Sequence, residues 1–251
     1  MDKLTYIASC SFGKDSIATI LLALEHKEPL DRVVFSEVMF DNKKGISGEI
    51  PEHIEWVYNT AIPKLVAMGV KVDIVRSERD FMYFFANAVG GGKFKGLLYG
   101  FPIGKRCVIN RDCKVTPIKQ YIKQFGDTVQ YIGIAYDEKK RLSRLKGNKI
   151  SLLAKYQYTE AMAYELCKKH NLLSPIYKFS QRGGCWFCMN TRIRDFAKFK
   201  SRHPDLWDML LQLGKTPNLC SYGFKYGMTI EQVDKKINTI NRQLKLTLWE
   251  Q

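Results

Sequence analysis

The residues with the clearest chemical potential come early. Ser11-Phe12-Gly13-Lys14-Asp15-Ser16 separates a short apolar run, residues 4–10, from a stretch of helical period, residues 16–26, with Ile17, Ile20, Leu21 and Leu24 on one stripe. A glycine at a strand-to-helix junction lets backbone N–H groups turn inward, and the helix N-terminus adds positive potential. Such a loop suits a phosphate. Ser11 and Ser16 can donate hydroxyl hydrogen bonds to phosphate oxygens, Lys14 can add charge, and Asp15 can cap the helix or hold a magnesium ion. The competing reading is an ordinary cap at Asp15 beside an incidental glycine. Placement on the first strand–helix junction, where open α/β sheets bind ligands, favours the phosphate loop. It is not a Walker loop, because Gly-Lys-Ser/Thr after four intervening residues is missing.

The cysteines form the second constellation. Seven is an odd number, in a chain without a secretory layout at its start, so metal or redox use of a subset is expected over a disulfide framework. Cys185 and Cys188 form a C-x-x-C behind Gly183-Gly184, and Cys107 and Cys113 lie upstream. Thiolates at such spacing can hold one metal or the edge of a cluster. Zinc, a cluster and plain burial all stay open on spacing, and a redox pair lacks a thioredoxin-like context. Cys10 and Cys167 sit on apolar faces and are expected in the core; Cys220 and the four histidines receive no role.

The elements that must position these residues follow from periodicity. Strands are expected at 4–10, 32–40, 71–77 and 129–136, with helices at 16–26, 51–69, 80–89, 117–125, 159–171, 194–214 and 229–246. Strands alternating with helices imply βαβ units, hence an α/β fold with a parallel sheet. Residues 90–111 are glycine-rich and basic and are expected as a loop near a site. Residues 137–150 carry six Lys or Arg and no aromatic residue, and are expected as a mobile loop. Phe196, Phe199, Trp207 and Leu210 recur at helical spacing and are expected in a core. The simplest division is one α/β domain over 1–192 and a C-terminal helical extension over 193–251.

Composition narrows the partners. With 251 residues and 45% hydrophobic content the chain can bury a sizeable core. No apolar window approaches a membrane span, so the expected location is cytoplasmic. A net charge of +15 suits a polyanion, a small anionic substrate or merely a lysine-rich solvated surface.

The loop resembles that of the PP-loop superfamily, the ATP pyrophosphatases, whose pattern is Ser-Gly-Gly-x-Asp-Ser; Phe12 stands at the first glycine. Over residues 4–192 the resemblance is to the branch of phosphoadenosine phosphosulfate (PAPS) reductases. It rests on Phe40-Asp41 with Glu49-Ile50-Pro51-Glu52, on Gly133-Ile134-Ala135-Tyr136-Asp137-Glu138-Lys139-Lys140-Arg141, on Ser174-Pro175-Ile176-Tyr177, and on Gly184-Cys185-Trp186-Phe187-Cys188. The resemblance implies an adenine nucleotide alpha hydrolase-like sheet with helices on both faces. It implies ATP or PAPS on Ser11, Phe12, Gly13, Lys14, Asp15, Ser16, Asp41 and Gly133, with Mg2+, and catalytic roles for Lys14, Asp15, Glu138 and Arg141. It also implies a four-iron cluster ([4Fe-4S]), with zinc as the alternative, on Cys107, Cys113, Cys185 and Cys188.

Two departures bear on the reaction. Ala135 stands where many members carry arginine, the natural bidentate partner of phosphate or sulfate. No cysteine follows Cys220, whereas the reductases attack sulfur with a C-terminal cysteine. The expected activity is therefore adenylation of an acceptor by ATP with pyrophosphate release, serving sulfur transfer to a nucleic acid (tRNA or DNA) with a sulfur donor protein. The alternatives are a reductase or sulfotransferase acting on PAPS, with Lys43, Lys44 or Arg76 meeting the 3′-phosphate, and a nucleotide- or nucleic-acid-binding subunit without turnover.

Overall fold

The computed structural model describes residues 4–104, 107–180 and 183–249, with side chains through Ile240. In chain order the elements are β1 Thr5–Cys10, α1 Lys14–Glu25, β2 Arg32–Glu37, β3 Met39–Asp41, β4 Ile46–Ser47, α2 Pro51–Trp56, α3 Ile62–Ala67, β5 Val72–Arg76, α4 Phe81–Ala86 and α5 Thr116–Ile122. There follow β6 Thr128–Ile132, α6 Lys139–Leu142, β7 Lys149–Ile150, α7 Leu152–Lys155, α8 Glu160–Lys169, α9 Ile193–Arg202, α10 Pro204–Gly214, β8 Gly223–Lys225, β9 Met228–Thr229 and α11 Ile230–Trp249.

The chain divides into two compact units, and both are discontinuous. The first comprises residues 1–38, 49–78 and 112–183; the second comprises 39–48, 79–111 and 184–251. The units interleave along the sequence.

In the first unit, five parallel strands run in the order β5-β2-β1-β6-β7. β1 is central, with Ser9 opposite Val34 on one side and Ile132 on the other. One face of the sheet packs on α1, α7 and α8 through Ile17, Leu21, Leu153 and Cys167. The other face packs Ile7 and Val34 against Ile122, with Ile118 and Phe125 beside them. Helices thus cover both faces, as a parallel sheet requires.

The second unit is built on aromatic rings. Phe40 stacks on Phe81 at 4.8 Å, Phe101 meets Phe224 edge-on at 5.1 Å, and Phe196 lies 5.4 Å from both Phe224 and Trp207. Phe196, Phe199, Trp207 and Leu210 are all buried, as their helical spacing suggested. Asp80 heads α4: its carboxylate accepts from Tyr83 N–H and from Asn42 N–H, each at 2.6 Å.

Several element boundaries differ from the sequence expectation for identifiable reasons. The run 32–40 is two strands, because β3 leaves the parallel sheet to pair antiparallel with β4. The expected helix over 51–69 contains a π-helical turn at Val57–Ala61, just before Pro63, which has no N–H to donate. The strand expected over 129–136 ends at Ile132. The segment expected as a loop over 137–150 contains α6 and the edge strand β7, whose two residues are both exposed and so show no apolar alternation. The expected helix over 194–214 breaks at Pro204. Among the described residues, no helix is long and apolar enough to cross a membrane.

Replacing Asp80 by alanine removes a helix cap and a buried acceptor together and should cost about 2 kcal/mol. Thermal unfolding should show a clear drop in midpoint for Asp80→Ala and a smaller one for Asp80→Asn, which keeps one side-chain oxygen.

Candidate nucleotide site

The loop 11–16 leaves the carboxyl end of the central strand and enters a twelve-residue helix whose N-cap, Gly13, has no side chain to cap it. Lys14, Asp15 and Ser16 form its first turn, where backbone N–H groups have no carbonyl partner within the helix. The loop's shape comes from internal bonds. Ser16 Oγ accepts from Ser11 N–H at 3.2 Å and donates to the Gly13 carbonyl at 2.9 Å, while Phe12 N–H donates to Cys10 Sγ at 3.2 Å.

Phe12 adopts φ +55° and is fully buried, edge-on to Phe35 at 5.1 Å. A left-handed backbone costs a bulky residue roughly 1–2 kcal/mol, and burying a phenyl ring returns about 1.5–3 kcal/mol. The position that is glycine in the Ser-Gly-Gly-x-Asp-Ser pattern is thus met here by strain offset by packing.

Three side chains from elsewhere in the first unit hold the loop's backbone. Tyr177 Oη accepts from Lys14 N–H at 2.9 Å, and the Cys167 thiol donates to the Lys14 carbonyl at 3.1 Å. His53 lies 3.1 Å from the Ser11 carbonyl through Nε2 and 2.8 Å from Ser174 Oγ through Nδ1. A carbonyl only accepts, so Nε2 carries the proton; Nδ1 of the neutral ring then accepts from Ser174. Burial lowers the pKa of His53 below its usual 6.5, a pull opposed by Glu49 and by the Ser11 carbonyl. Burial also raises Tyr177, and it pushes the thiols of Cys10 and Cys167 up to about 11 and about 12, which makes these two cysteines structural. Neither His53 nor Cys167 announces this role in the sequence.

The side chains of the loop are already in an ion-pair network. Lys14 Nζ donates to Asp15 at 2.9 Å and to Glu160 at 2.6 Å. Burial pulls the Lys14 pKa down, but the bonds to Glu160 and Asp15 outweigh it and the net shift is upward. Asp15 is raised, by burial first, with Glu160 and Glu138 adding to the rise against the pull of Lys14. Glu160, which the sequence reading did not single out, therefore belongs to this site.

Gly133 follows β6 and passes against the loop. A Cβ there would meet the Asp15 carbonyl carbon and the Ser16 nitrogen at 2.8 Å, so only glycine permits the approach. Beyond it, Glu138 accepts from Ala135 N–H at 3.2 Å and binds Arg141 at 2.6 Å and 2.7 Å. The structure thus brings Ser11, Phe12, Gly13, Lys14, Asp15, Ser16 and Gly133 together, with Glu138 near enough to act on Asp15. Asp41 belongs to the second unit, where its carboxylate accepts from Lys43 and Lys44 N–H and shapes the turn after β3. Arg76 is engaged by the buried Glu37 at 2.6 Å.

The expected metal cysteines divide between the two units. Cys107, Cys185 and Cys188 line one groove of the second unit, walled by Phe81, Phe101 and Phe224. Cys107 Sγ accepts from Asn110 N–H at 3.4 Å. Lys225 donates to the carbonyls of Met189 and Thr191; burial lowers its pKa, and Cys188 opposes that fall. Cys113 lies in the first unit, buried, and its carbonyl accepts from Ser36. Among the described residues, no group of three or more His, Cys, Asp or Glu is arranged to hold a metal ion.

No family model and no curated protein matches this chain. Similar solved structures include a phosphoadenylyl-sulfate (PAPS) reductase from Candida auris in a phosphate complex. It has a TM-score of 0.48 at 12% identity, over 74% of this chain and 83% of that one. Another is the U34-tRNA thiolase NcsA from Methanococcus maripaludis with its [4Fe-4S] cluster, with a TM-score of 0.42 at 17% identity, over 94% of this chain and 72% of that one. Likenesses at this distance carry no function to the chain, whose own residues must do so.

Two outcomes follow from the geometry. Gly133→Ala must displace backbone, which should cost about 1–3 kcal/mol and disturb the Ser16 N–H; chemical denaturation and nucleotide titration should both register it. For His53, the folded pKa lies below the unfolded one. Its contribution is complete above pH 6.5 and is lost as the unfolded chain takes up the proton below that value. Stability should fall on acidification by up to about 1.4 kcal/mol per pH unit, and His53→Gln should flatten that slope.

Proposed function

We propose that the chain is an adenine-nucleotide-binding enzyme that holds ATP phosphates on Ser11, Gly13 and Ser16 and adenylates an acceptor. The observation that carries this reading is the N-terminus of α1, with glycine at its N-cap, at the carboxyl end of β1, its loop fixed from outside by His53, Tyr177 and Cys167. Backbone donors fixed in advance need no reorganisation when charge develops on the phosphates, which is where electrostatic catalysis gains most.

In this reading an acceptor oxygen attacks the α-phosphorus, the bond to the β-phosphate oxygen breaks, and pyrophosphate leaves. Lys14 turns from Asp15 and Glu160 toward the phosphates, and the released Asp15 carboxylate is the ligand available to a magnesium ion. The basic composition favours a nucleic acid, tRNA or DNA, as acceptor. The groove bearing Cys107, Cys185 and Cys188 has soft ligands and apolar walls, and it would hold a metal or cluster for sulfur handling only with these cysteines drawn closer than they stand here.

Calorimetry on anaerobically purified protein tests the assignment. ATP with magnesium should bind more tightly than PAPS, and Ser16→Ala, which removes the hydroxyl bonds to Ser11 N–H and the Gly13 carbonyl that shape the loop, should weaken it roughly 10-fold or more. Asp15→Ala should abolish pyrophosphate release. Tighter binding of PAPS would transfer the site to the sulfonucleotide reading, and binding of neither would refute it.

A further inference from the structure

The positive charge is unevenly distributed. The second unit holds 19 Lys and Arg against 8 Asp and Glu, a net of +11 out of +15, in fewer than half of the residues. The same unit displays two tyrosines on its small hairpin. Tyr222 is 45% exposed and Tyr226 is 60% exposed, the most of any exposed large hydrophobic side chain among the described residues.

Both rings line one open groove with a cavity volume of about 330 Å³, shared with Ile103, Ser221, Thr229 and Gln232. That is within the size range of small-ligand sites. Tyr226 is held in place: its hydroxyl donates to the Gly104 carbonyl at 2.8 Å while the ring stays in solvent. Thr229 and Gln232 cap each other across the start of α11, with Thr229 N–H donating to Gln232 Oε1 at 2.9 Å and Gln232 N–H to Thr229 Oγ1 at 3.4 Å. The groove therefore has a fixed polar end and an aromatic, solvent-facing side.

An exposed aromatic ring fixed by its hydroxyl loses little freedom when a flat partner stacks on it. A strongly basic surface supplies the attraction for a polyanion, and unpaired bases supply the flat partner. We infer that the groove beside the β8–β9 hairpin binds an unpaired base of a single-stranded nucleic acid, stacked on Tyr226 and Tyr222, while cations of the same unit meet its phosphates. The inference rests on the nucleic-acid-acceptor reading for its place in the reaction, but the binding itself needs no ATP.

Fluorescence anisotropy with a short labelled uridine-rich RNA, the matching DNA strand and a duplex, all without nucleotide, tests it. Single strands should bind more tightly than the duplex, and the RNA and DNA arms show which backbone is preferred. Tyr226→Ala and Tyr222→Ala should each weaken single-strand binding roughly 5- to 100-fold, as loss of one stacked base does, with an unchanged salt slope because no charge is removed. Tyr226→Phe should retain most of the affinity, since the ring remains. Equal affinity for duplex, no binding to single strands, or full binding by the double alanine variant would overturn the site. ATP calorimetry on the same variants separates the two readings. Unchanged ATP binding confirms that the variants are folded. Tyrosine-dependent RNA binding by a chain that binds no ATP would refute the nucleotide reading alone.

Discussion

The backbone of residues 11–16, shaped by its own internal bonds, is anchored by groups that lie far away in sequence. Tyr177 takes the Lys14 N–H, Cys167 gives to the Lys14 carbonyl, and His53 gives to the Ser11 carbonyl. Without these bonds the loop would be an uncapped helix start next to a strained phenylalanine. With them, the loop's backbone is fixed in one conformation. The order of the sheet serves the same end: β1 is central, β6 lies beside it, and Gly133 at the end of β6 can reach the loop's backbone.

The ion pairs around Lys14 complement this backbone frame. A lysine bound to two carboxylates neutralises charge that burial would otherwise penalise. Glu160 is half exposed, so its hold on Lys14 is screened and weak enough to exchange for another anion. The backbone is therefore the rigid part of the site and the side-chain charges are the adjustable part.

The sequence made the parallel sheet and the loop legible because both depend on local pattern: apolar runs, a glycine at a junction, and helical period. It also suggested Gly133, but only through a motif; the reason, a 2.8 Å approach to the helix start, exists only in three dimensions. His53 and Cys167 were invisible as site residues because a lone buried histidine or cysteine looks the same whether it fills a core or holds a loop. Glu160 was likewise hidden, 146 residues from its partner Lys14. The switch of partners at Val38, where one apolar run serves two sheets, leaves no mark in hydropathy. Cys107, Cys185 and Cys188 share one groove, whereas spacing could not show that Cys113 is buried in a different unit.

The strand β7 has a bearing on how the protein behaves in a crowded solution. It closes one edge of the sheet with just two residues, and Lys149 is one of them. An edge this short, carrying a charge that would have to be desolvated, offers a poor template for the strand of a second molecule. The segment that looks like a mere basic connector thus also guards the sheet against growth into larger, misassembled species.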